Sequence, residues 1–119
     1  MQLEKENYMS AAFYIVQYQA AMTGGLGVYI GNGIIAGVDV ANIRYDGHYT
    51  EASDGTLSGT VMIKAPASTQ LVTGATLPAN HPLDVPFSIP SGFGDGRPVQ
   101  FMIAGQPVTA SFEKLRDLP

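Results

Sequence analysis

The chain has no cysteine and no tryptophan, and it carries only six lysines and arginines against ten acidic residues in 119 positions. Without cysteine there is neither a disulfide framework nor a thiolate metal site. The six cations are scattered from Lys5 to Arg116 and the formal net charge is -4, so there is no basic stripe to neutralise phosphates and direct nucleic-acid binding is not expected. Charged residues make up 13% of the chain, about half the roughly 25% usual in globular domains, which argues against a bundle of charged helices. No signal-peptide core and no apolar run long enough to span a bilayer stands out. The expected setting is therefore cytoplasmic, away from membranes.

What the chain does have is fourteen glycines, eight prolines and 45% hydrophobic residues, the composition of a turn-rich, all-β domain. Residues 1 to 9 read as a polar, flexible N-terminal arm, with Glu4, Lys5 and Glu6 in it. From residue 10 to 119 the pattern is that of one domain with period-two alternation, which sends successive side chains to opposite faces of a strand. The clearest case is Ile43 to Thr50: Ile43, Tyr45, Gly47 and Tyr49 share one face, and Arg44, Asp46, His48 and Thr50 the other. Asp54-Gly55 supplies a turn, after which Thr56 to Lys64 alternates again with Leu57, Gly59, Val61 and Ile63 on one side.

Earlier strands are expected at Ala12 to Ala20, Gly25 to Gly31 and Gly33 to Val38, with Asn32-Gly33 as the turn between the last two. A later hairpin joins Val99 to Ala104 and Val108 to Lys114 through Gly105-Gln106-Pro107. Six of the eight prolines fall between Lys64 and Val99, and proline cannot donate to a ladder. Only Leu83 to Ile89 reads as a strand there, with Pro86 at an edge or bulge; residues 65 to 81 read as a long loop and 92 to 96 as a mobile connection. The total is eight strands, mostly in antiparallel up-and-down order. That is the size of a small closed barrel, whose interior is filled by side chains or holds one small ligand; a sandwich or an open coiled sheet is the other arrangement the pattern allows.

Chemistry that needs a particular constellation is not legible. His48 and His81 are the only imidazoles, one on the wet face of a strand and one in a proline-flanked loop. No Gly-x-Ser-x-Gly elbow occurs, no ligand spacing suggests a metal, and neither glycine cluster (24 to 27, 92 to 96) leads into a phosphate-binding helix. No catalytic residue, metal or cofactor is assigned. The aromatics offer more. Tyr14, Val16, Tyr18, Tyr45, Tyr49, Phe87, Phe101 and Phe112 can converge on the interior, either as a packed core, the usual state of small barrels, or as the lining of a pocket for an apolar ligand. If Tyr14, Val16 and Tyr18 face inward, Phe13 and Ile15 point outward together, and the simplest cover for such a patch is a homodimer contact.

The runs Phe13-Tyr14-Ile15-Val16-Gln17-Tyr18, Gly25-Leu26-Gly27-Val28, Gly37-Val38-Asp39, Tyr45-Asp46-Gly47-His48-Tyr49 and Leu57-Ser58-Gly59-Thr60-Val61 resemble, in order and spacing, the GrlR-like family. These are lipocalin-like β-barrels that act as negative regulators of type III secretion. The stretch from Phe101 to Leu118 resembles the closing strands of that family. The resemblance implies a non-enzymatic regulator that binds a protein partner such as a transcriptional activator. The family's Gly-Gly-Asp signature is Gly37-Val38-Asp39 here, which implies a changed turn. The acidic hairpin through which the best-known member binds its activator keeps only Glu51 and Asp54, which become the expected partner-binding residues alongside Phe13 and Ile15. A carrier of a small apolar ligand, using the barrel cavity as lipocalins do, is the alternative.

Overall fold

The computed structural model describes residues 9–119. The described chain is all-β, and one antiparallel sheet of eight strands curls until it is nearly closed into a barrel. Its strands are β1 (Ala12–Gln19), β2 (Thr23–Gly31), β3 (Ile34–Asp39), β4 (Arg44–Glu51), β5 (Leu57–Lys64), β8 (Leu83–Ile89), β9 (Asp95–Ile103) and β10 (Gln106–Asp117); β6 (Thr69–Gln70) and β7 (Thr76–Leu77) form a separate small hairpin. The sheet order is β8-β5-β4-β3-β2-β1-β10-β9. The first long strand therefore pairs with the last, Val16 opposite Phe112. The remaining seam, between β8 and β9, carries no ladder. Both seam edges carry a proline, Pro86 and Pro98, which has no N–H to offer a foreign strand.

The alternation in the sequence does its expected work. On β1, Ala12, Tyr14 and Val16 are buried while Phe13, Ile15 and Gln17 are exposed, and Leu57 and Ile63 on β5 and Val85 and Ile89 on β8 line up inward in the same way. Asn32 and Gly33 both take positive φ, 53° and 79°, the backbone of a two-residue hairpin turn whose twist matches the strands it joins. At Gly59, β5 approaches β4 so closely that a Cβ would run into the His48 carbonyl oxygen, and only glycine is accommodated.

Several expectations need correction. The turn between β9 and β10 is Ala104-Gly105, with φ of 50° and 78°. Gln106 and Pro107 already belong to β10, opposite Ile103 and Met102. Residues 65 to 81 are not a featureless loop: Leu71 and Leu77 are buried against Ile43, Ile63, Ala65 and Val85, and the β6–β7 hairpin they anchor folds across one end of the barrel. The segment from 92 to 96 is not a loose connection, because Phe93 drives into the core with 3% of its surface exposed. Residues 1 to 8 of the expected arm lie outside the described residues. Met9, its last residue, packs against the core, and its N–H donates to both Glu51 carboxylate oxygens at 3.2 Å. No helix of the described residues is long and apolar enough to cross a membrane.

Candidate functional site

The two ends of the barrel differ in kind. At one end lie the β2–β3 and β4–β5 turns and the segment from 90 to 94. Here Tyr14, Phe93 and Phe112 stack, with ring centroids 5.2 Å apart for Tyr14–Phe93 and 5.3 Å for Phe93–Phe112. Leu57 and Ala12 are fully buried beside them. Edge-to-face and tilted aromatic contacts of this type fill space densely, and this end is solid.

Toward the other end the walls no longer meet. A cavity of about 330 Å³ runs up the barrel axis. Val16 and Tyr18 of β1, Val28 and Ile30 of β2 and Ile35 of β3 form one wall; Val61 and Ile63, Val85 and Phe87, Phe101, and Ala110 with Phe112 form the opposite one. Leu71 and Val72, from the turn between β6 and β7, reach over the opening. That cover is tied down where Met22 N–H donates to the Val72 carbonyl at 3.0 Å.

Polarity enters the cavity at the mouth, where β3 ends. Asp39, 9% exposed, is the one charged side chain buried among the described residues. Its Oδ1 accepts the N–H groups of Ala41 at 2.9 Å and Ile43 at 3.1 Å, which fixes the turn into β4. Its Oδ2 accepts the hydroxyls of Tyr18 at 3.1 Å and Tyr45 at 3.0 Å. Two strands not adjacent in the sheet, β1 and β4, are thus joined through one carboxylate across the opening. Burial pushes the Tyr45 hydroxyl far up from its ordinary value, and its contacts with Tyr18 and Asp39 push the same way. Burial also raises Tyr18 and Tyr49, and it takes Tyr14 to about 12, with the nearby Asp117 charge adding to the effect.

A pH dependence follows from these four tyrosines. Each ionises less readily in the folded chain than in the unfolded one, so their contribution to stability is fully present below about pH 10 and is lost as the unfolded chain ionises above it. For Tyr14 the loss continues to about 12. Denaturant unfolding at a series of alkaline pH values should show the tyrosine contribution constant up to about pH 10 and stability falling beyond it, with tyrosinate absorbance lagging that of the unfolded protein. Coincident titration of native and unfolded tyrosines would contradict the burial described.

Of the residues singled out in the sequence, Val16, Tyr18, Tyr45, Phe87, Phe101 and Phe112 line the cavity. Tyr14 and Tyr49 do not: they belong to the solid end, where Tyr14 packs on Phe93 and Phe112 and Tyr49 lies in the same buried cluster. Phe13 and Ile15 point outward, each 41% exposed. Glu51 and Asp54 sit at the solid end and serve local structure. Glu51 holds the Met9 N–H, and Asp54 Oδ1 accepts the Thr56 N–H at 2.9 Å inside the turn, which keeps its carboxyl below the usual carboxylate value. Asp39, Leu71 and Phe93 were not anticipated as site or core residues. A signal for Asp39 exists: it shares the inward parity of Ile35 and Gly37, and an acid on the inward face of a strand marks a buried polar site. Among the described residues no group of three or more His, Asp or Glu side chains is placed to hold a metal ion. The chemistry of the cavity has to be read from its own residues, since no protein-family model, no curated protein and no solved structure matches the chain.

Proposed function

We propose that this chain is a non-enzymatic binding protein whose barrel interior takes up a small apolar ligand. The observation that carries the reading is the cavity itself. It is about 330 Å³ in volume and walled almost wholly by aliphatic and aromatic side chains, in a domain of a size that usually fills its interior. Ligand sites begin at about 300 Å³ and combine apolar walls with a few placed polar groups, and an apolar cavity of about 150 Å³ already binds benzene. The hydroxyl protons of Tyr18 and Tyr45 are already committed to Asp39, which suits holding a molecule better than transforming it.

A small neutral fluorophore that brightens in apolar surroundings, 4-(dimethylamino)benzonitrile, should bind saturably at one site per chain. Ala110→Phe places a ring in the cavity from β10, where Ala110 is 4% exposed. It should weaken dye binding at least about tenfold while the barrel stays folded, since the new side chain has space to occupy. Equal binding by the variant would place the dye elsewhere.

A second reading is supported by the outer face. Phe13 stands beside Tyr29 and Ala36 in one cross-strand row, and Ile15 beside Gly27 and Val38 in the next. Val38 is 51% exposed and Ile34 44%, so β1 to β3 present an apolar outer surface of the kind that contacts another protein. In this reading the face serves a homodimer, or the protein partner that the GrlR-like resemblance implies for a cytoplasmic negative regulator such as those of type III secretion. Phe13→Lys combined with Ile15→Glu should then convert a dimer to a monomer in light scattering, with the barrel intact. A monomeric unsubstituted protein would rule out the homodimer.

A further inference from the structure

The polar cluster at the cavity mouth restricts what the ligand's own polar end can be, and this inference rests on the cavity being the binding site. Asp39 accepts four hydrogen bonds, two from backbone N–H groups and two from the Tyr18 and Tyr45 hydroxyls. A phenol has one proton. The two hydroxyls also lie 3.5 Å from each other. Whether both protons go to Oδ2 or one goes to the neighbouring phenol, both are used inside the cluster, and the Tyr18 and Tyr45 oxygens offer only lone pairs to anything that enters the cavity. The side chains that bring polar atoms to its lining are these three together with Thr23 and Gln70, which lie exposed at the rim. The deepest polar feature therefore offers acceptors and no donor, and a carboxylate stands directly behind them.

We infer that the ligand is a small amphiphile with an apolar body and a hydrogen-bond-donating head, a hydroxyl or an ammonium group, seated against Tyr18 and Tyr45, and that fatty carboxylates are rejected. A donor head completes the free lone pairs of the two phenols, while an anionic head in that position meets acceptors and the charge of Asp39, and the donors of Thr23 and Gln70 lie out at the rim, in contact with solvent. The cavity has about twice the volume of one that takes benzene, so the apolar body is of roughly ten to fourteen non-hydrogen atoms. Such a molecule lies along the barrel axis, with its tail toward Phe112 and Ile30.

The test is displacement of bound 4-(dimethylamino)benzonitrile at neutral pH by four chains of nearly equal length: decanol, decylamine, methyl nonyl ether and decanoate. The two donors should bind about tenfold tighter than the ether, as one net hydrogen bond implies, and decanoate should be the weakest of the four. Asp39→Asn supplies the polarity reversal. Its side-chain carbonyl can keep the two backbone N–H groups, its amide can donate to both phenols, and the phenol protons are released toward the cavity. The advantage of decanol over decanoate should fall at least about tenfold in this variant.

Ether or decanoate binding as tightly as the donors in the unsubstituted protein would overturn the inference and leave cavity binding standing, whether or not Asp39→Asn folds. So would a decanol preference that survives unchanged in a folded Asp39→Asn variant. Absence of binding by the dye and by all four chains, measured by calorimetry, would instead overturn the proposed function itself.

Discussion

Phe93→Ala is expected to lower the stability of the protein by about 3 to 5 kcal/mol, the cost of emptying a packed aromatic site. Phe93 comes from the segment between β8 and β9, yet its ring lies 5.2 Å from that of Tyr14 and 5.3 Å from that of Phe112. It connects β1 and β10, the pair that joins the two ends of the chain, to the seam where β8 and β9 are not hydrogen-bonded. Truncation leaves a cavity at the solid end and also frees Gly92 and Gly94, which no longer have a buried side chain between them to hold the segment in place. Denaturant unfolding should show the midpoint falling with an unchanged slope. A loss below about 1 kcal/mol would mean that the segment is loosely attached, as its glycines alone suggest.

Asp39→Ala is expected to cost a similar amount, about 3 to 5 kcal/mol, for a different reason. Alanine leaves the Ile43 N–H, which is buried, and the Ala41 N–H without their acceptor, and it releases the Tyr18 and Tyr45 hydroxyls at the cavity mouth. Each buried donor left unpaired costs about 1 to 3 kcal/mol. Tyr45→Phe removes only one of the four bonds and keeps the ring, so it should cost about 1 kcal/mol. If the two variants were equally stable, the carboxylate would not be the group that organises the β3–β4 turn.

The fold was legible in the sequence wherever one face is buried and the other wet. From Ile43 through β4, Ile43, Tyr45, Gly47 and Tyr49 alternate with Arg44, Asp46, His48 and Thr50, and the structure puts the first set inward and the second outward. Asn32-Gly33 was readable because both residues tolerate the positive φ that the turn requires. Ala104 was not, because alanine seldom takes a φ of 50°. It does so here because the register of Gln106 opposite Ile103 leaves only two residues for the reversal. The lateral order was harder to read: the pairing of Val16 with Phe112 spans almost the whole chain, and alternation says nothing about which distant strand a given strand adjoins.

The site was legible only in outline. Alternation identifies Val16, Tyr18, Tyr45 and Phe87 as inward, but whether opposing inward side chains touch depends on the barrel's radius at that level. That radius is set by the long-range pairings, so the solid end around Tyr14 and Tyr49 and the hollow end around Tyr18 and Tyr45 look alike in sequence. The same holds for the proline-rich stretch. Leu71 and Leu77 become anchors of a cover because the open barrel end offers Ile43 and Ile63 as partners, and no local pattern announces such a surface.

The central claim, that the barrel interior is the binding site, is tested most directly by nuclear Overhauser contacts between decanol and the protein's methyl groups. The alkyl chain should show contacts to Val28, Ile30, Ile35, Val61, Ile63 and Val85, which surround the cavity. Contacts confined to Ile15, Ile34 and Val38, on the outer face of β1 and β3, would contradict it and move binding to the apolar exterior.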